Sequence, residues 1–579
     1  MIGRRHKRHQ VEFDEILLDA SNLPSFNQGR MEGRRELPIP PRSIFAIGVI
    51  FLLITFGFTG KLFALQVLEG ESYRERSEAN RLDEGLIVAE RGVIYDRNGE
   101  MLAWNEQDYN DKEEFPLRAY TDRHGLGQLT GYISYPQKDT KGVYYRTAYI
   151  GRTGVESAFE STLQGDNGRV LVEVDALGEV ISSHAVEVPK PGEPLELSID
   201  AALSEAMYDI IETAVADAGF RSGAAAIMDV RTGEILAMTS FPSYDPEVMA
   251  DGDDVALINS YNEDGRFPFL NKVVGGAYTP GSIVKPFLAY AALAEDIISP
   301  NKRVTSNGSM LVPNPYDPDN PTRFADWRRQ GSMTMREAIA FSSNVYFYII
   351  GGGLTQSAAS IQPELGGVQE GLGITRINEY MHRFGFGEKT GIALSGEQAG
   401  TVPNPEWKQE VFDDDWRLGD TYNTSIGQFG FQTTPLQMLR AYAALANGGT
   451  LLTPHIEKGK QSEAVDLLLE EDALRVIHEG MRMTVNYDRG TARSLERSDI
   501  AIAAKSGTAE VGVDNAFVNS WVAGFFPYEE PRYSFILLMD RAPRSNALGA
   551  TRVMGDIVAW MSEHTPEYLN LPPKTDTTD

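Results

Sequence analysis

The stretch YTPGSIVKP, Tyr278 to Pro286, places a serine and a lysine three residues apart where the chain begins a helix. Pro280 and Gly281 form a turn, and the run SIVKPFLAYAALAE that follows has helical periodicity. Residues three apart on a helix share a face, so Ser282 and Lys285 are predicted to lie side by side. A serine becomes a nucleophile when a neighbour takes its proton, and a lysine can do so only if its pKa is lowered. The alternative is a helix-capping serine beside a solvated lysine, and this stretch alone leaves both open.

Two further motifs bear on that choice. SSN contains Ser342 and Asn344, whose hydroxyl and amide can project together from a turn between helices. A lysine followed by a hydroxyl residue and glycine occurs twice, at Lys389 in KTG and at Lys505 in KSGT. A strand-compatible run of small residues leads into Lys505, whereas Lys389 follows a helix end and a glycine-rich turn, so we select Lys505 and expect Lys389 to be solvated. In this order the three motifs are the set found in penicillin-binding proteins and serine β-lactamases.

Composition restricts the possible functions. The 579 residues are 42% hydrophobic and 23% charged, with a formal net charge of -29, which is ordinary for globular domains but argues against a nucleic-acid partner. The chain has no cysteine, which excludes disulfides, thiolate metal sites and a cysteine nucleophile. This composition weakly favours a domain outside the cytoplasm.

An apolar segment near the N-terminus predicts a membrane anchor. Ile44 to Gly60 carries no charge, and continuation past Lys61, which can snorkel, makes the segment long enough to span a bilayer. The Lys and Arg residues upstream place the tail in the cytoplasm: they are Arg4, Arg5, Lys7, Arg8, Arg30, Arg34, Arg35 and Arg42. No clear cleavage site follows, so we predict an uncleaved single-pass anchor with the bulk of the chain outside.

The rest of the chain changes character near residue 200. RGVIYDRNGEMLA (Arg91 to Ala103) predicts a hairpin, Asp200 is placed to cap a helix, and GAAAIMDVRTGEILAMTS (Gly223 to Ser240) predicts two antiparallel strands. Helices and strands then mix without βαβ regularity, which predicts an α+β domain with an antiparallel sheet. The predicted segments are a cytoplasmic tail 1–43, a transmembrane anchor 44–66, a strand-rich pedestal 67–199, a catalytic domain 200–565 and a disordered tail 566–579.

The motifs together resemble those of class B penicillin-binding proteins, the monofunctional peptidoglycan D,D-transpeptidases. RGVIYDRNGEMLA and GRTGVES (Gly151 to Ser157) are similar to the family's pedestal motifs, and PGSIVKP, SSN and KSGTAE to its catalytic ones. NTSIGQFGFQTTPLQMLRAYAALANGGTLLTPHI (Asn423 to Ile456), with SSNVYFYIIG and GEQAGTVPNPEWK, is more similar to the elongation type, penicillin-binding protein 2, than to the division type. The resemblance runs from the anchor to about residue 563. It implies a penicillin-binding/serine β-lactamase-like transpeptidase domain on a dimerisation-type pedestal.

The resemblance also implies the chemistry. Ser282 would attack the penultimate D-Ala carbonyl of a stem peptide, with Lys285 as its base and the nearby charge of Lys505 lowering a lysine pKa. Ser342 would relay a proton to the leaving amine, and Asn344 would bind a substrate amide. The substrate carboxylate would be held by Lys505, Ser506 and Thr508, with the backbone N–H groups of Ser282 and Thr508 as the oxyanion hole, while Gly507 allows a ligand to approach the backbone. No metal or organic cofactor is implied.

The implied partners are stem peptides ending in D-Ala-D-Ala, β-lactams and a SEDS-type, RodA-like glycan polymerase. The implied location is the inner membrane, with the catalytic domain in the periplasm. The sequence departs from the family pattern in three places. Phe429 follows SIGQ where the family often has glycine, and the interval between DRNGEMLA and GRTGVES is shorter than expected for an elongation-type pedestal. FADWRRQGSMT offers only Asp326 where some members bind zinc. The alternatives are a division-type transpeptidase, a β-lactamase or carboxypeptidase, a β-lactam sensor, and a non-catalytic scaffold.

Overall fold

The computed structural model describes residues 40–71, 74, 82–107, 115–140, 144–174, 180–314, 317–546 and 548–572. The chain forms two compact units. One comprises the described residues up to Glu84 together with Leu171–His184, and the other comprises Gly85–Val170 together with the residues from Ala185 onward. The predicted cytoplasmic tail, apart from residues 40–43, lies outside the described residues. The division at residues 199 and 200 stays a prediction.

The first unit carries the N-terminal helix. An α-helix spans Pro41–Phe63 and continues as a π-helical turn over Ala64–Leu68. Proline is accepted at the first helical position because its missing N–H has no helical partner there, so the helix begins before the predicted residue 44. Its 28 residues are long and apolar enough to cross a membrane, and it is the one such helix in the described part of the chain. The strands Leu82–Ile87, Gly168–Val174 and Val180–Glu187 each contain residues assigned to both units.

The second unit begins with small strands and short helices. Ile94–Tyr95 and Met101–Glu106 pair antiparallel around a turn in which Asp96 Oδ1 accepts the backbone N–H groups of Asn98 and Glu100, which confirms the predicted hairpin. A four-stranded sheet has the spatial order Leu195–Glu196, Ile94–Tyr95, Met101–Glu106 and Leu117–Tyr120. The other elements here are the strands Ile133–Ser134, Gln137–Lys138, Tyr144–Arg146 and Ile150–Gly151 and the helices Gly127–Thr130, Gly154–Ala158 and Glu160–Leu163.

A buried ion cluster joins the two pedestal motifs. Glu156, from GRTGVES, accepts Arg91 Nε at 2.5 Å, and Arg91 comes from RGVIYDRNGEMLA. The second carboxylate oxygen of Glu156 accepts Arg118 Nε at 2.8 Å, and all three side chains are excluded from solvent. Because an unpaired charge is costly inside a protein, each motif supplies a buried partner for the charge of the other.

A five-stranded antiparallel sheet, here called the central sheet, organises the rest of this unit. Its spatial order is Ile235–Phe241, Ser222–Asp229, Tyr533–Pro543, Phe517–Phe526 and Ala503–Val511. Every residue of Ser222–Asp229 is buried, with Ala224 and Ala226 in one apolar core and Ala225 and Ile227 in another. Because side chains alternate across a strand, these two cores lie on opposite faces of the sheet. The antiparallel sheet between helices confirms the predicted α+β class.

Helices cover both faces of the central sheet. Lys285–Ala294 and Pro435–Ala446 contribute to the core that includes Ala224, while Ala201–Ala218 and Ala550–His564 contribute to the core that includes Ala225. The remaining α-helices are Pro246–Asp251, Val255–Glu263, Lys272–Gly275, Met335–Phe341, Asn344–Gly352, Gln356–Ile361, Gly373–Arg383, Pro405–Phe412, Leu418–Thr424 and Glu471–Asn486. Short strands are Val304–Ser306, Ser309–Asn314, Asp317–Ala325, Gly331–Met333, Thr450–Leu452 and Ala464–Asp466, and 3-10 turns are Gly281–Val284, Pro363–Leu365, Arg493–Leu495, Val513–Asn515 and Pro566–Leu569.

The C-terminal segment corrects one prediction. Disorder was expected from residue 566, but Pro566–Leu569 forms a 3-10 turn in which Tyr568 and Leu569 are buried. Tyr568 Oη donates to Asp200 Oδ2 at 2.7 Å, and Asp200 also caps the helix Ala201–Ala218 as predicted, accepting from Leu203 N. The packing of Tyr568 against Tyr533 and this hydrogen bond hold the segment in place. The polar composition of the tail gives no sign of either contact.

Candidate active site

Ser282 lies in a turn tighter than the predicted α-helical start. Gly281–Val284 is a 3-10 turn, and the α-helix Lys285–Ala294 follows it directly. Residues three apart are eclipsed in a 3-10 turn, which keeps Ser282 and Lys285 on one side. Ser282 is half-buried, whereas Lys285 is fully buried. The alternative of a solvated lysine is therefore wrong.

Glycines set the position of this turn. Gly281 has φ +59° and its N–H donates to Gly427 O at 3.0 Å, while a Cβ at Gly281 would lie 2.7 Å from Thr508 O. A Cβ at Gly507 would lie 2.8 Å from the Ile283 side chain. The absence of a side chain at Gly507 therefore lets the turn that contains Ser282 pack against the strand Ala503–Val511. The close approach of a ligand to Gly507, expected from the sequence, stays a prediction.

The hydroxyl of Ser342 joins the two lysines. Ser342 has φ +57° and lies between the helices Met335–Phe341 and Asn344–Gly352, as the sequence predicted. Its Oγ accepts Lys505 Nζ at 2.8 Å and Lys285 Nζ at 3.4 Å. Lys285 Nζ also donates to Ser342 O and to Asn344 Oδ1, each at 2.8 Å. The lysine hydrogen bonds thus lead to this loop rather than to Ser282, and all three motifs meet here.

Burial changes the acidity of both lysines. Removal from solvent lowers the pKa of Lys285 to about 7, with the charge of Asp326 acting in the opposite direction. Burial also holds the pKa of Lys505 well below its ordinary value, and the charge of Lys285 lowers it further. Like-charge repulsion, which the sequence argument emphasised, is thus second to desolvation. A lysine with a pKa near 7 is partly neutral at physiological pH and can accept a proton.

The strand Ala503–Val511 supplies one wall of the site. It lies at the edge of the central sheet, with Lys505 buried, Ser506 half-buried and Thr508 exposed. Ser506 Oγ donates to Thr491 Oγ1 at 2.6 Å, and Lys505 Nζ donates to Ser506 O at 2.7 Å. Thr491 was not identified from the sequence, because a threonine after a glycine in a loop has no distinguishing pattern.

Other residues considered from the sequence have structural surroundings. Trp521 is fully buried and its Nε1 donates to Thr279 O at 3.0 Å, so it belongs to the core. Lys389 is exposed, and the adjacent Thr390 N–H donates to Glu397 at 2.7 Å in a closed turn. Among the described residues, no cluster of three or more His, Cys, Asp or Glu side chains is arranged to hold a metal. Asp326 instead accepts hydrogen bonds from the Ser343 hydroxyl and from the Asn344 backbone N–H.

Comparison with known families agrees with this geometry. The family described as "Penicillin binding protein transpeptidase domain" matches residues 223–559, more than half of the chain. The family described as "Penicillin-binding Protein dimerisation domain" matches residues 110–197. The chain therefore belongs to the penicillin-binding proteins of the transpeptidase family.

Two individual relatives differ in how much of this chain they match. "Peptidoglycan D,D-transpeptidase MrdA" of Haemophilus influenzae is 28% identical, over 95% of this chain and 96% of that relative. "Peptidoglycan D,D-transpeptidase FtsI" of Escherichia coli is also 28% identical, but over 75% of this chain and 66% of that relative.

Solved structures share the fold. Penicillin-binding protein PBP2 of Helicobacter pylori, solved in complex with MreC, has a TM-score of 0.68 and 26% identity, covering 84% of this chain and 100% of that chain. A chain from "Structural coordination of polymerization and crosslinking by a peptidoglycan synthase complex" has a TM-score of 0.69 and 27% identity, covering 92% of this chain and 100% of that chain. The elongation-type resemblance of the sequence is thus confirmed.

Proposed function

We propose that this chain is a serine-type peptidoglycan D,D-transpeptidase that cross-links stem peptides during cell-wall elongation. The observation that carries the proposal is the meeting of three separated motifs at Ser342 Oγ, which accepts hydrogen bonds from Lys505 and Lys285 beside the Ser282 turn. The MrdA relative matches nearly the whole chain, whereas the FtsI relative matches less of it, which favours elongation over division.

The first half-reaction forms an acyl-enzyme. Ser282 Oγ attacks the carbonyl carbon of the penultimate D-Ala, and neutral Lys285 takes the hydroxyl proton. The new C–O bond forms and the C–N bond to the terminal D-Ala breaks. The Ser342 hydroxyl passes a proton to the leaving amine as it takes the one held by the Lys285 ammonium. Lys285 is suited to this exchange because burial lowers its pKa to about 7.

The second half-reaction makes the cross-link. An amine of a neighbouring stem peptide attacks the acyl carbon, forming a C–N bond, and its proton returns through the lysines to Ser282 as the C–O bond breaks. β-Lactams present a similar carbonyl and carboxylate, so they acylate Ser282 and inhibit the enzyme. No metal or organic cofactor takes part in this scheme.

Side chains and backbone N–H groups around Ser282 and the two lysines bind the substrate in this proposal. Asn344 binds a substrate amide, while Lys505, Ser506 and Thr508 hold the terminal carboxylate. Thr508 is the exposed member of this set and is open to a ligand. The backbone N–H groups of Ser282 and Thr508 form the oxyanion hole, where each donor is typically worth about 3–4 kcal/mol of transition-state stabilisation.

The helix Pro41–Leu68 anchors the chain in the inner membrane. The excess of Lys and Arg before it supports an orientation with the N-terminus in the cytoplasm and the catalytic unit in the periplasm. We also propose a SEDS-type, RodA-like glycan polymerase as a partner. Solved relatives occur in a peptidoglycan synthase complex and in a complex with MreC, which supports an assembly of this kind.

Labelling with a fluorescent penicillin tests the proposal. The full-length protein should form a stable fluorescent adduct, and folded Ser282→Ala should form none. Lys505→Ala should label more slowly, whereas Lys389→Ala, a matched change at an exposed lysine, should label like the wild type. Label that persists in Ser282→Ala would overturn the nucleophile assignment. Rapid loss of label would indicate a hydrolase, and a folded wild type that takes no label would indicate a scaffold.

A further inference from the structure

A buried carboxylate lies against the loop that contains Ser342. Asp326 follows the strand Asp317–Ala325 and is 8% exposed. Its Oδ2 accepts Ser343 Oγ at 2.6 Å and Ser306 Oγ at 3.0 Å, and its Oδ1 accepts the Asn344 backbone N–H at 3.0 Å. Buried carboxylates are costly unless hydrogen-bonded, and this one is extensively satisfied. The loop is therefore tied to the strand region beside it.

These hydrogen bonds define where the next helix begins. Ser343 caps Asn344–Gly352, because its Oγ accepts Tyr346 N–H at 3.3 Å while donating to Asp326. Asp326 Oδ2 also accepts the Val345 N–H at 3.4 Å. A negative charge at a helix N-terminus is favoured by the helix dipole. Asp326 thus fixes the first turn of the helix that carries Asn344.

The same segment also orients the Asn344 side chain. Asn344 Nδ2 donates to Ala325 O at 3.3 Å, which leaves Oδ1 to accept Lys285 Nζ at 2.8 Å. Ser342 itself is held at φ +57°, a conformation that costs energy for a residue with a side chain and needs support from its surroundings. Asp326 and Ala325 support this backbone conformation through their hydrogen bonds to Ser343 and Asn344, the residues that follow Ser342.

Asp326 also acts on Lys285 through its charge. In the described part of the chain, no Lys or Arg forms an ion pair with Asp326, although its charge acts to raise the pKa of Arg328 against the effect of burial. Asp326 raises the pKa of Lys285 against the effect of burial, and Lys505, the other charged group at this site, shares Ser342 Oγ with Lys285. The carboxylate is thus both a structural and an electrostatic neighbour of the base.

We propose that Asp326 is a positioning residue for acyl transfer, which holds Ser342 and Asn344 in register with Lys285. Its negative charge also favours the ammonium form of that lysine. The inference rests on the proposed function, because Lys285 and Ser342 matter here as parts of the transpeptidase site. Asp326 contacts no substrate in this scheme and acts through the loop and through Lys285.

The test is the pH profile of acylation by a fluorescent penicillin, measured on full-length wild type and Asp326→Asn. Removing the charge lowers the pKa of Lys285, so the rising limb of acylation rate against pH should move to lower pH. The plateau rate should fall by up to about 100-fold, because displacement of catalytic groups by about 1 Å can cost that much. Asp319→Asn removes an equal charge at an exposed position of the strand Asp317–Ala325 and should leave the profile unchanged.

Two further variants separate geometry from charge and do not require Asp326→Asn to fold. Ser343→Ala and Ser306→Ala each remove one hydrogen bond from the carboxylate but keep its charge, so both should lower the rate without moving the limb. A rate that is unaltered in both folded variants overturns the positioning role. A limb that stays in place in folded Asp326→Asn overturns the electrostatic role. Failure of the wild type to acylate would instead defeat the proposed function itself.

Discussion

The position of the turn that contains Ser282 depends on the absence of a side chain at Gly281. Gly281 has φ +59°, and a Cβ there would lie 2.7 Å from Thr508 O, closer than real Cβ contacts allow. Gly281→Ala should therefore displace Ser282 and reduce penicillin labelling, with a stability cost beyond the roughly 1–3 kcal/mol of backbone strain. Labelling rate and thermal unfolding measure the two effects.

Gly252→Ala is the matched control for that prediction. Gly252 has φ +72° but nothing lies within 4 Å of its added Cβ, so only the backbone strain remains. It should lose some stability and keep the wild-type labelling rate. Equal labelling by Gly281→Ala and Gly252→Ala would show that close packing against Thr508 does not position the nucleophile.

Single residues differ in how far sequence could identify them. Lys505 was separable from Lys389 because small, strand-forming residues precede only Lys505. Asp326 was noticed only as an insufficient metal ligand, since its hydrogen-bond partners Ser306 and Ser343 are 20 and 17 residues away in the chain. Contacts at such separations leave no local pattern, and so neither Asp326 nor Thr491 could be assigned a role. The site assignments themselves stay predictions until the variants are measured.

At the scale of elements, the pedestal hairpin and the GRTGVES helix are held by the buried Glu156 cluster. Glu156 pairs with Arg91 and Arg118, and removing its charge leaves buried Arg118 without its carboxylate and Arg91 with only the partly exposed Glu160. Glu156→Gln should lower the free energy of unfolding by about 3–5 kcal/mol, as for other broken buried pairs. Thermal unfolding of the purified wild type and of purified Glu156→Gln measures the loss of stability.

Glu160→Gln provides the comparison within the same cluster. Glu160 accepts Arg91 Nη2 at 2.6 Å, but its side chain is 37% exposed and water can replace the lost contact. Its cost should be about 1 kcal/mol or less. If Glu156→Gln were no more destabilising than Glu160→Gln, burial of the cluster would not be the reason the two motifs occur together.

Elements with strong periodicity or turn signals were predicted well. The strands Ser222–Asp229 and Ile235–Phe241 and the helix after Asp200 are where the sequence placed them. The 3-10 turn at Ser282 was not foreseen, because the same apolar spacing suits either helix type over four residues. The ordered turn Pro566–Leu569 was missed because its order comes from a tertiary contact to Asp200.

For the whole molecule, the absence of cysteine makes orientation directly measurable. Single substitutions Arg34→Cys and Lys389→Cys introduce one thiol each into a chain that otherwise has none. A membrane-impermeant maleimide added to spheroplasts should label Lys389→Cys at once and Arg34→Cys only after the membrane is opened. The wild type should not label at all. The reverse pattern would place the catalytic unit in the cytoplasm and contradict the orientation we propose.

The strand Ala503–Val511 ends the central sheet, and its outer edge pairs with no other strand among the described residues. An unpaired edge offers main-chain hydrogen bonds to any extended peptide, whatever its side chains. With the carboxylate contacts we propose for Lys505 and Thr508, recognition of this kind would be tolerant along the body of a bound peptide and demanding only at its end. Such an enzyme could accept stem peptides of varied composition without a change in its binding site. An inhibitor would gain most affinity by imitating the terminus of the substrate peptide rather than its length.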